Sequence, residues 1–377
     1  MTKIETIKRR VCCICNNQNL IHSRTIPNFP VYMGVSSLSE SQDLFLDQIW
    51  VLCEKCQTLQ LSELVPLSLL YSNNHHTEVV GETWARHHLA FSEFVKLESG
   101  DKICEIGSAH DYLATLILNK NSNVEYLSVE PDPTRMDSRV EHIRDFAENQ
   151  LAEIAECNVV IHSHVLEHVY NPRAFLSNLS SVMKENGRMY ISFPNITELL
   201  AHLGVNGLNF EHTYFLSNRN FQKLIGYSGL TIAKTENFES HSYFYELVKS
   251  DSANIFEEGV LNDEYQAFSR LWDELEKFVD SALLEIEASS APTYIFGAHI
   301  FSQALLSLGL NKIVIQGILD NSSAKQGQRL YGSKALTYAP SAIKDLPEVN
   351  VVLRVSHYQN EIKRQLQSIN PRVKIIE

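Results

Sequence analysis

The sequence predicts an α/β protein whose central sheet is mostly parallel and covered by helices on both faces. Three observations carry that reading. Short apolar runs alternate with helical stretches from about residue 76 to 250. A second β-α-β pattern starts near residue 288. Two close cysteine pairs lie ahead of both, in a segment with little helical periodicity. Strands separated by helices pair in parallel because a parallel neighbour needs a long crossover.

The 377 residues suffice for two or three domains. A chain that is 44% hydrophobic and 20% charged is ordinary for a globular protein. Lys+Arg 32 against Asp+Glu 45 give a net charge of -13. That balance argues against a nucleic-acid partner, which needs a basic surface. It leaves room for a local basic pocket that takes a nucleotide diphosphate. No apolar run reaches membrane-spanning length. Residues 1–10 lack the apolar segment of a secretory signal. A cytoplasmic protein with no membrane partner is expected. The seven cysteines are then expected to stay reduced.

Four segments follow in order. Residues 1–75 hold both cysteine pairs; 71–81 (YSNNHHTEVVG) read as a loop, and 84–97 as a helix. Residues 76–250 supply strands at 102–107 (KICEIG), 124–129 (VEYLSV), 158–163 (NVVIHS) and 188–193 (RMYISF). The clearest helix starts with Asn171 as N-cap and Pro172 at its first position, and Gly187 is read as its stop. From 255 to 286, Leu261, Tyr265, Phe268, Trp272, Leu275, Val279 and Ile286 recur at mostly three- and four-residue steps. This is one long amphipathic helix, filling a link at 251–287 and packing on both large domains. A dimer-forming coiled coil is the alternative, and a monomer or a homodimer fits. Residues 288–377 supply a strand at 293–297, a helix at 301–308, and strands at 312–319, 351–355 and 373–376.

Cys12-x-x-Cys15 and Cys53-x-x-Cys56 have the spacing of a zinc site. Four protein thiolates leave no open position, so the role is structural. Cys13 could substitute for Cys12 with poorer spacing. Glu105-Ile106-Gly107-Ser108 follows a strand and precedes a helix, where a glycine lets backbone approach a nucleotide-like ligand. Glu130 ends the next strand, where an acid accepts hydrogen bonds from ribose hydroxyls. Histidines cluster near the strand ends: His162, His164 and His168, then Glu211-His212, then His241. Their convergence on one crevice would supply a general base.

Together these residues resemble the zinc-containing, S-adenosylmethionine-dependent C-methyltransferases of nucleotide-linked keto sugars. The resemblance covers nearly the whole chain, through the cysteine module, the Glu-Ile-Gly-Ser turn, HVLEHVYNP, EHTYF, YIFGAHIFSQALLSLG and LDNSSAKQGQRLYG. It implies a Rossmann-like class I methyltransferase core. That core lies between an N-terminal zinc-binding module and a C-terminal Rossmann-like domain that helps hold the sugar nucleotide. It implies zinc on Cys12, Cys15, Cys53 and Cys56. It implies S-adenosylmethionine over Gly107, beside Glu105 and Ser108, with Glu130 on the ribose and Asp145 and His164 nearby. His212 takes the place of the general base. Glu211, His168, Tyr71 and Tyr214 surround the reacting carbon, and His241 and Lys325 contact the small-molecule substrate, a nucleotide diphospho-sugar.

The sequence departs from that family at three places. Ala109-His110-Asp111 replaces Asn-Asp-Gly, Asn209 replaces an aromatic, and Ser242-Tyr243-Phe244 replaces small glycines and an arginine. The chemistry implied is proton removal beside a ketone by neutral His212, then attack of the carbanion on the sulfonium methyl. His168 or a tyrosine would stabilise the enolate. Alternatives are an O-methyltransferase on a sugar or related molecule, and a non-catalytic binding module. An NAD-binding C-terminal domain ranks low because the turn 297–302 lacks the remaining dinucleotide-loop glycines.

Overall fold

The computed structural model describes residues 4–71, 82–134, 136–202, 204–205, 207–250, 263–355 and 358–377. All but Tyr71 of the loop expected at 71–81, and the helix start expected at 255, lie outside the described residues. Residues near the N-terminus build an antiparallel sheet from β1 (Leu20–Pro30), β2 (Phe45–Cys53) and β3 (Leu59–Leu61), in that order. The sequence hid β1 because its register shifts twice against β2 and most of its side chains are not fully buried. Alternation, the usual strand signature, is lost there.

The central unit contains α1 (Glu82–Phe94), β4 (Lys102–Ile106), α2 (Tyr112–Lys120), β5 (Glu125–Val129) and β6 (Glu141–Ile143). It continues with β7 (Val159–Ser163), α3 (Pro172–Val182), β8 (Arg188–Pro194), α4 (Asn218–Tyr227), β9 (Leu230–Phe238) and β10 (Ser242–Lys249). The strands lie in the order β9-β10-β8-β7-β4-β5-β6. Only β10 runs against its neighbours; the other ladders are parallel. Chain order reverses beside β4, and the crevice outside such a switch point is where open α/β sheets bind ligands. The central strands β4 and β7 are buried almost throughout, which is why they read as continuous apolar runs. The Asn171 side chain caps α3 by accepting the Ala174 N–H at 3.2 Å. The helix stops at Val182, before the expected Gly187. Gly187 instead serves the tight turn into β8, where a Cβ would meet Lys184 O at 2.9 Å.

Helix α5 (Asp263–Glu287) buries Phe268, Leu271, Trp272, Leu275 and Val279. Its core includes Trp50 and Leu61 of the first sheet, Leu200 and Leu208 of the central unit, and Ile295 and Leu305 beyond it. One helix therefore joins three units. The last unit has β11 (Thr293–Phe296), α6 (Ile300–Ser307), β12 (Gly317–Leu319), β13 (Thr337–Tyr338), β14 (Val349–Val352), α7 (Gln359–Ile369) and β15 (Val373–Ile376). It is parallel in the order β13-β12-β11-β14-β15. The strand expected at 312–319 is only Gly317–Leu319: Lys312 closes a 3-10 turn and Val314 stands exposed before the strand begins. Among the described residues no helix is long and apolar enough to cross a membrane.

Candidate active site and cysteine centre

Each cysteine pair is folded by its own backbone. Asn16 N–H donates to Cys12 O at 3.0 Å, and Gln57 N–H donates to Cys53 O at 2.8 Å. Asn16 and Gln57 take matching left-handed φ angles of 58° and 59°. The sulfurs of Cys12, Cys15, Cys53 and Cys56 all lie within 4.8 Å of one another. Cys12 to Cys56 is 3.4 Å and Cys15 to Cys53 is 3.5 Å. Backbone N–H groups of Ile14 and Cys56 point at Cys12 and Cys53 sulfurs. Four mutually close sulfurs with N–H donors fit a tetrahedral zinc ion. Cys13 is outside the cluster; its N–H donates to Gln60 Oε1 at 3.0 Å.

The residues expected to hold the cofactor gather at the ends of β4 and β5. Gly107 has φ +82°, and a Cβ there would strike Val165 Cγ2 at 2.3 Å. Only glycine satisfies both demands. Glu105 is buried and accepts the Tyr126 hydroxyl at 2.6 Å; burial pushes its carboxyl up to about 7. Glu130 Oε1 accepts the Asp132 N–H at 2.9 Å, and burial raises its carboxyl above the usual range. Asp111 stands where the resembled family has glycine, and it takes the left-handed conformation itself, at φ 50°. Short polar side chains tolerate that region better than others. Its carboxylate accepts the Ser108 hydroxyl (3.1 Å), the Asp137 N–H (2.7 Å) and His142 Nε2 (2.7 Å). The departure from glycine thus ties the cofactor turn to the loop before β6. Asp145 follows β6, and both its oxygens are engaged locally by Phe146 N, Asn149 and Gln150; these bonds hold its carboxyl below the usual range.

The Glu211-His212 pair is set by Asn209. Its Oδ1 accepts the N–H of Glu211 at 2.8 Å and of His212 at 2.7 Å. This acceptor, not an aromatic, fixes the turn. His212 packs edge-on against His168 with ring centroids 4.8 Å apart. Burial, with His168 and His164 nearby, pushes the His212 imidazole well below the ordinary histidine range, so it is neutral. Glu211 Oε2 lies 3.7 Å from His168 Nδ1. Glu167 joins the same group: one ligand atom each from Glu167, His168 and His212 lie within 4.8 Å. Tyr71 is kept protonated by burial and by the carboxylates Glu211, Glu130 and Glu167. Its hydroxyl thus feels the charge of Glu130, expected at the cofactor, as well as that of Glu211 and Glu167.

The structure corrects the expectation for Tyr214 and shows the surroundings of the other residues. Tyr214 was expected on the substrate, but its ring is 1% exposed and its hydroxyl donates to Leu166 O. It props the turn before His168 from inside the core. His162 is a core histidine, fully buried against Phe175. His164 and His241 do converge, but on each other, on His87 of α1 and on Trp84. Lys325 pairs with Asp320 Oδ2 at 3.2 Å. Asp320, at the end of β12, also accepts the N–H groups of Ala298 and Ser322, both at 2.8 Å. Its carboxylate is thus committed where a dinucleotide would need a ribose acceptor. Arg9 went unnoticed. Its guanidinium donates to Thr213 O at 2.8 Å, Thr213 Oγ1 at 3.1 Å and Tyr170 O at 2.9 Å, fastening the N-terminal segment to the loop after His212. One arginine within the basic run Lys8-Arg9-Arg10 gives no local signal for such long-range bonds.

Residues 75–235 match the model of a methyltransferase domain. No curated protein matches the chain in sequence. Solved structures similar to it include mitomycin 7-O-methyltransferase, 14% identical over 45% of this chain and 55% of that one, with TM-score 0.37. A methyltransferase of calicheamicin biosynthesis is 12% identical over 44% of this chain and 54% of that one, with TM-score 0.36. A plantazolicin methyltransferase is 11% identical over 45% of this chain and 84% of that one, with TM-score 0.36. The chain spans about half the length of the first two. The central unit has the Rossmann-like fold of class I methyltransferases.

Proposed function

We propose that the chain is an S-adenosylmethionine-dependent C-methyltransferase acting on a nucleotide-linked keto sugar, with a structural zinc on its four clustered cysteines. The observation that carries the reading is the placement of neutral His212. It packs on His168, which lies on the loop after β7, and Val165 of that same loop closes over Gly107. One loop thus touches both the proposed base and the glycine cradle for the cofactor. The cofactor, when bound, supplies an electrophilic methyl group.

The residues divide the remaining work. His212 takes a proton from the carbon next to the substrate ketone; its desolvated nitrogen is unprotonated at neutral pH. The same desolvation makes it a weak base, so the charge it gains needs support. Glu167 lies in its cluster, and Glu211 lies against neighbouring His168. The Tyr71 hydroxyl, held protonated, donates to the enolate oxygen as its charge develops. Asn209 keeps the base in register by holding two consecutive N–H groups. Placing carbanion and methyl donor in line supplies much of the acceleration.

The test is transfer of an isotopically labelled methyl group to nucleotide diphospho-keto sugars, with the label located in the product. His212→Ala is expected to lose transfer by on the order of 10²–10⁴-fold while keeping cofactor affinity. Label on carbon in the wild type supports the reading. Label on oxygen, or unchanged turnover in the variant, contradicts it.

A further inference from the structure

Three histidines from separate elements meet at one edge of the central sheet. His87 lies on α1, His164 just after β7, and His241 in the turn between β9 and β10. Ser242 pairs with Pro194 at the end of β8, and His164 N–H donates to Ser192 O at 2.8 Å. The cluster therefore sits at the C-terminal ends of β7 and β8. One ring nitrogen from each histidine lies within 4.8 Å of the others. The nearby Glu167–His168–His212 group belongs to the proposed base.

The surroundings of these rings are those of ligands. Burial and neighbouring imidazoles hold His87 and His164 below the ordinary histidine range, so both are neutral. Neutral imidazole is the metal-binding form. Ligating histidines give their other nitrogen to a carboxylate or a hydroxyl-like group that fixes the ring. Here His87 Nε2 lies 2.9 Å from Ser192 Oγ, and His164 Nε2 lies 2.9 Å from Ser242 Oγ, leaving His164 Nδ1 on the side of Glu167. His241 Nδ1 lies 2.6 Å from Ser242 Oγ. An independent observation points the same way. His87 is fully buried, yet its Nδ1 has no hydrogen-bond partner among the described residues. Buried polar atoms are nearly always paired. Trp84 covers the group, its ring 4.7 Å from His164 and 4.9 Å from His241.

We propose that His87, His164 and His241 bind one divalent transition-metal ion of the zinc class, separate from the cysteine centre. Three imidazoles suit zinc, cobalt, nickel or copper; magnesium and calcium need oxygen ligands. Three protein ligands leave a coordination position open, unlike the four-cysteine centre. The ion ties α1 and the β9–β10 turn to the loop carrying Glu167.

The full-length protein is stripped of metal, reloaded with Zn2+ or Co2+, dialysed and assayed for bound metal. The thiolate-to-cobalt absorption band reports the cysteine centre alone. The expected result is two equivalents in the wild type and one in His87→Ala and His241→Ala, with the thiolate band unchanged. His241 lies in a surface turn, so its variant reads the site even where loss of buried His87 destabilises the fold. A wild type that holds one equivalent, with the thiolate band, overturns the proposal. So does a second equivalent that survives both substitutions, or one lost only in His212→Ala. Metal bound without a thiolate band and lost in His241→Ala supports the histidine site and removes the cysteine one. None of these readouts depends on methyl transfer.

Discussion

Glu167 stands between two histidine groups, 3.1 Å from His164 and clustered with His168 and His212. Burial pushes its carboxyl from 4.5 up to about 7. The folded state therefore favours the protonated acid. Its contribution to stability is whole below about 4.5 and is lost as pH rises through about 7. Glu167→Gln keeps the shape and removes the titration. The wild type is expected to lose on the order of 3 kcal/mol relative to the variant between those limits. Denaturant midpoints of both proteins at pH 5 and pH 8 check this, and parallel pH profiles would contradict it. At this scale the sequence shows residue types but not their partners. The four cysteines and the Glu211-His212 pair were legible from spacing and resemblance. Tyr214 was misread because its hydroxyl partner is the backbone of Leu166, 48 positions away. The bonds of Asp111 to Asp137 and His142, and those of Arg9, are equally non-local.

At the scale of elements, α6 shows how one side chain can fasten two units. Gln303 is 2% exposed. Its Nε2 donates to Tyr32 O at 2.9 Å and Tyr331 O at 3.0 Å, while its Oε1 accepts the Gly34 N–H at 3.3 Å. Gln303→Leu leaves those three backbone groups without that partner. The expected cost is about 2–4 kcal/mol, from one or two groups left unsatisfied, read as a lower denaturation midpoint with an unchanged circular dichroism spectrum. A variant as stable as the wild type would mean that the junction does not rest on this amide. Central strands and α3 were legible because burial on both faces and end-caps write local signals. Edge strand β9 was not: five consecutive residues, Ala233–Asn237, are exposed, so nothing apolar marks its middle. The last sheet was legible in outline, yet β12 shrank to three residues, with Lys312 closing a 3-10 turn and Val314 exposed ahead of it.

At the scale of the whole molecule, the cysteine centre is wired to the proposed base. Leu61 N–H donates to Thr213 O at 2.9 Å, and Phe215 N–H donates to Leu59 O at 2.9 Å. The strand after the second cysteine pair thus pairs with the loop just past His212, and Arg9 adds its bonds to Thr213. Removing the zinc proposed for the cysteine centre is expected to loosen that strand, and with it the placement of His212. Gly107 and Glu130 follow β4 and β5, which share a hydrophobic core with the cysteines but are hydrogen-bonded into the central sheet. Metal-depleted protein should therefore lose methyl transfer well before it loses cofactor affinity, as initial rates and cofactor titrations after chelation would show. Equal loss of both would contradict the wiring. This coupling had no trace in the sequence, because it joins residues about 150 positions apart.

The central claim is that the crevice at Gly107 holds S-adenosylmethionine. Isothermal titration of the cofactor into the wild type and Gly107→Ala tests it most directly. A Cβ at position 107 meets Val165 Cγ2 at 2.3 Å and sits at φ +82°, a backbone state costing about 1–2 kcal/mol for a residue with a side chain. Saturable one-site binding by the wild type, weakened roughly tenfold or more in the variant, is the predicted result. No binding by the wild type at millimolar cofactor, or equal affinity in both proteins, would contradict the account.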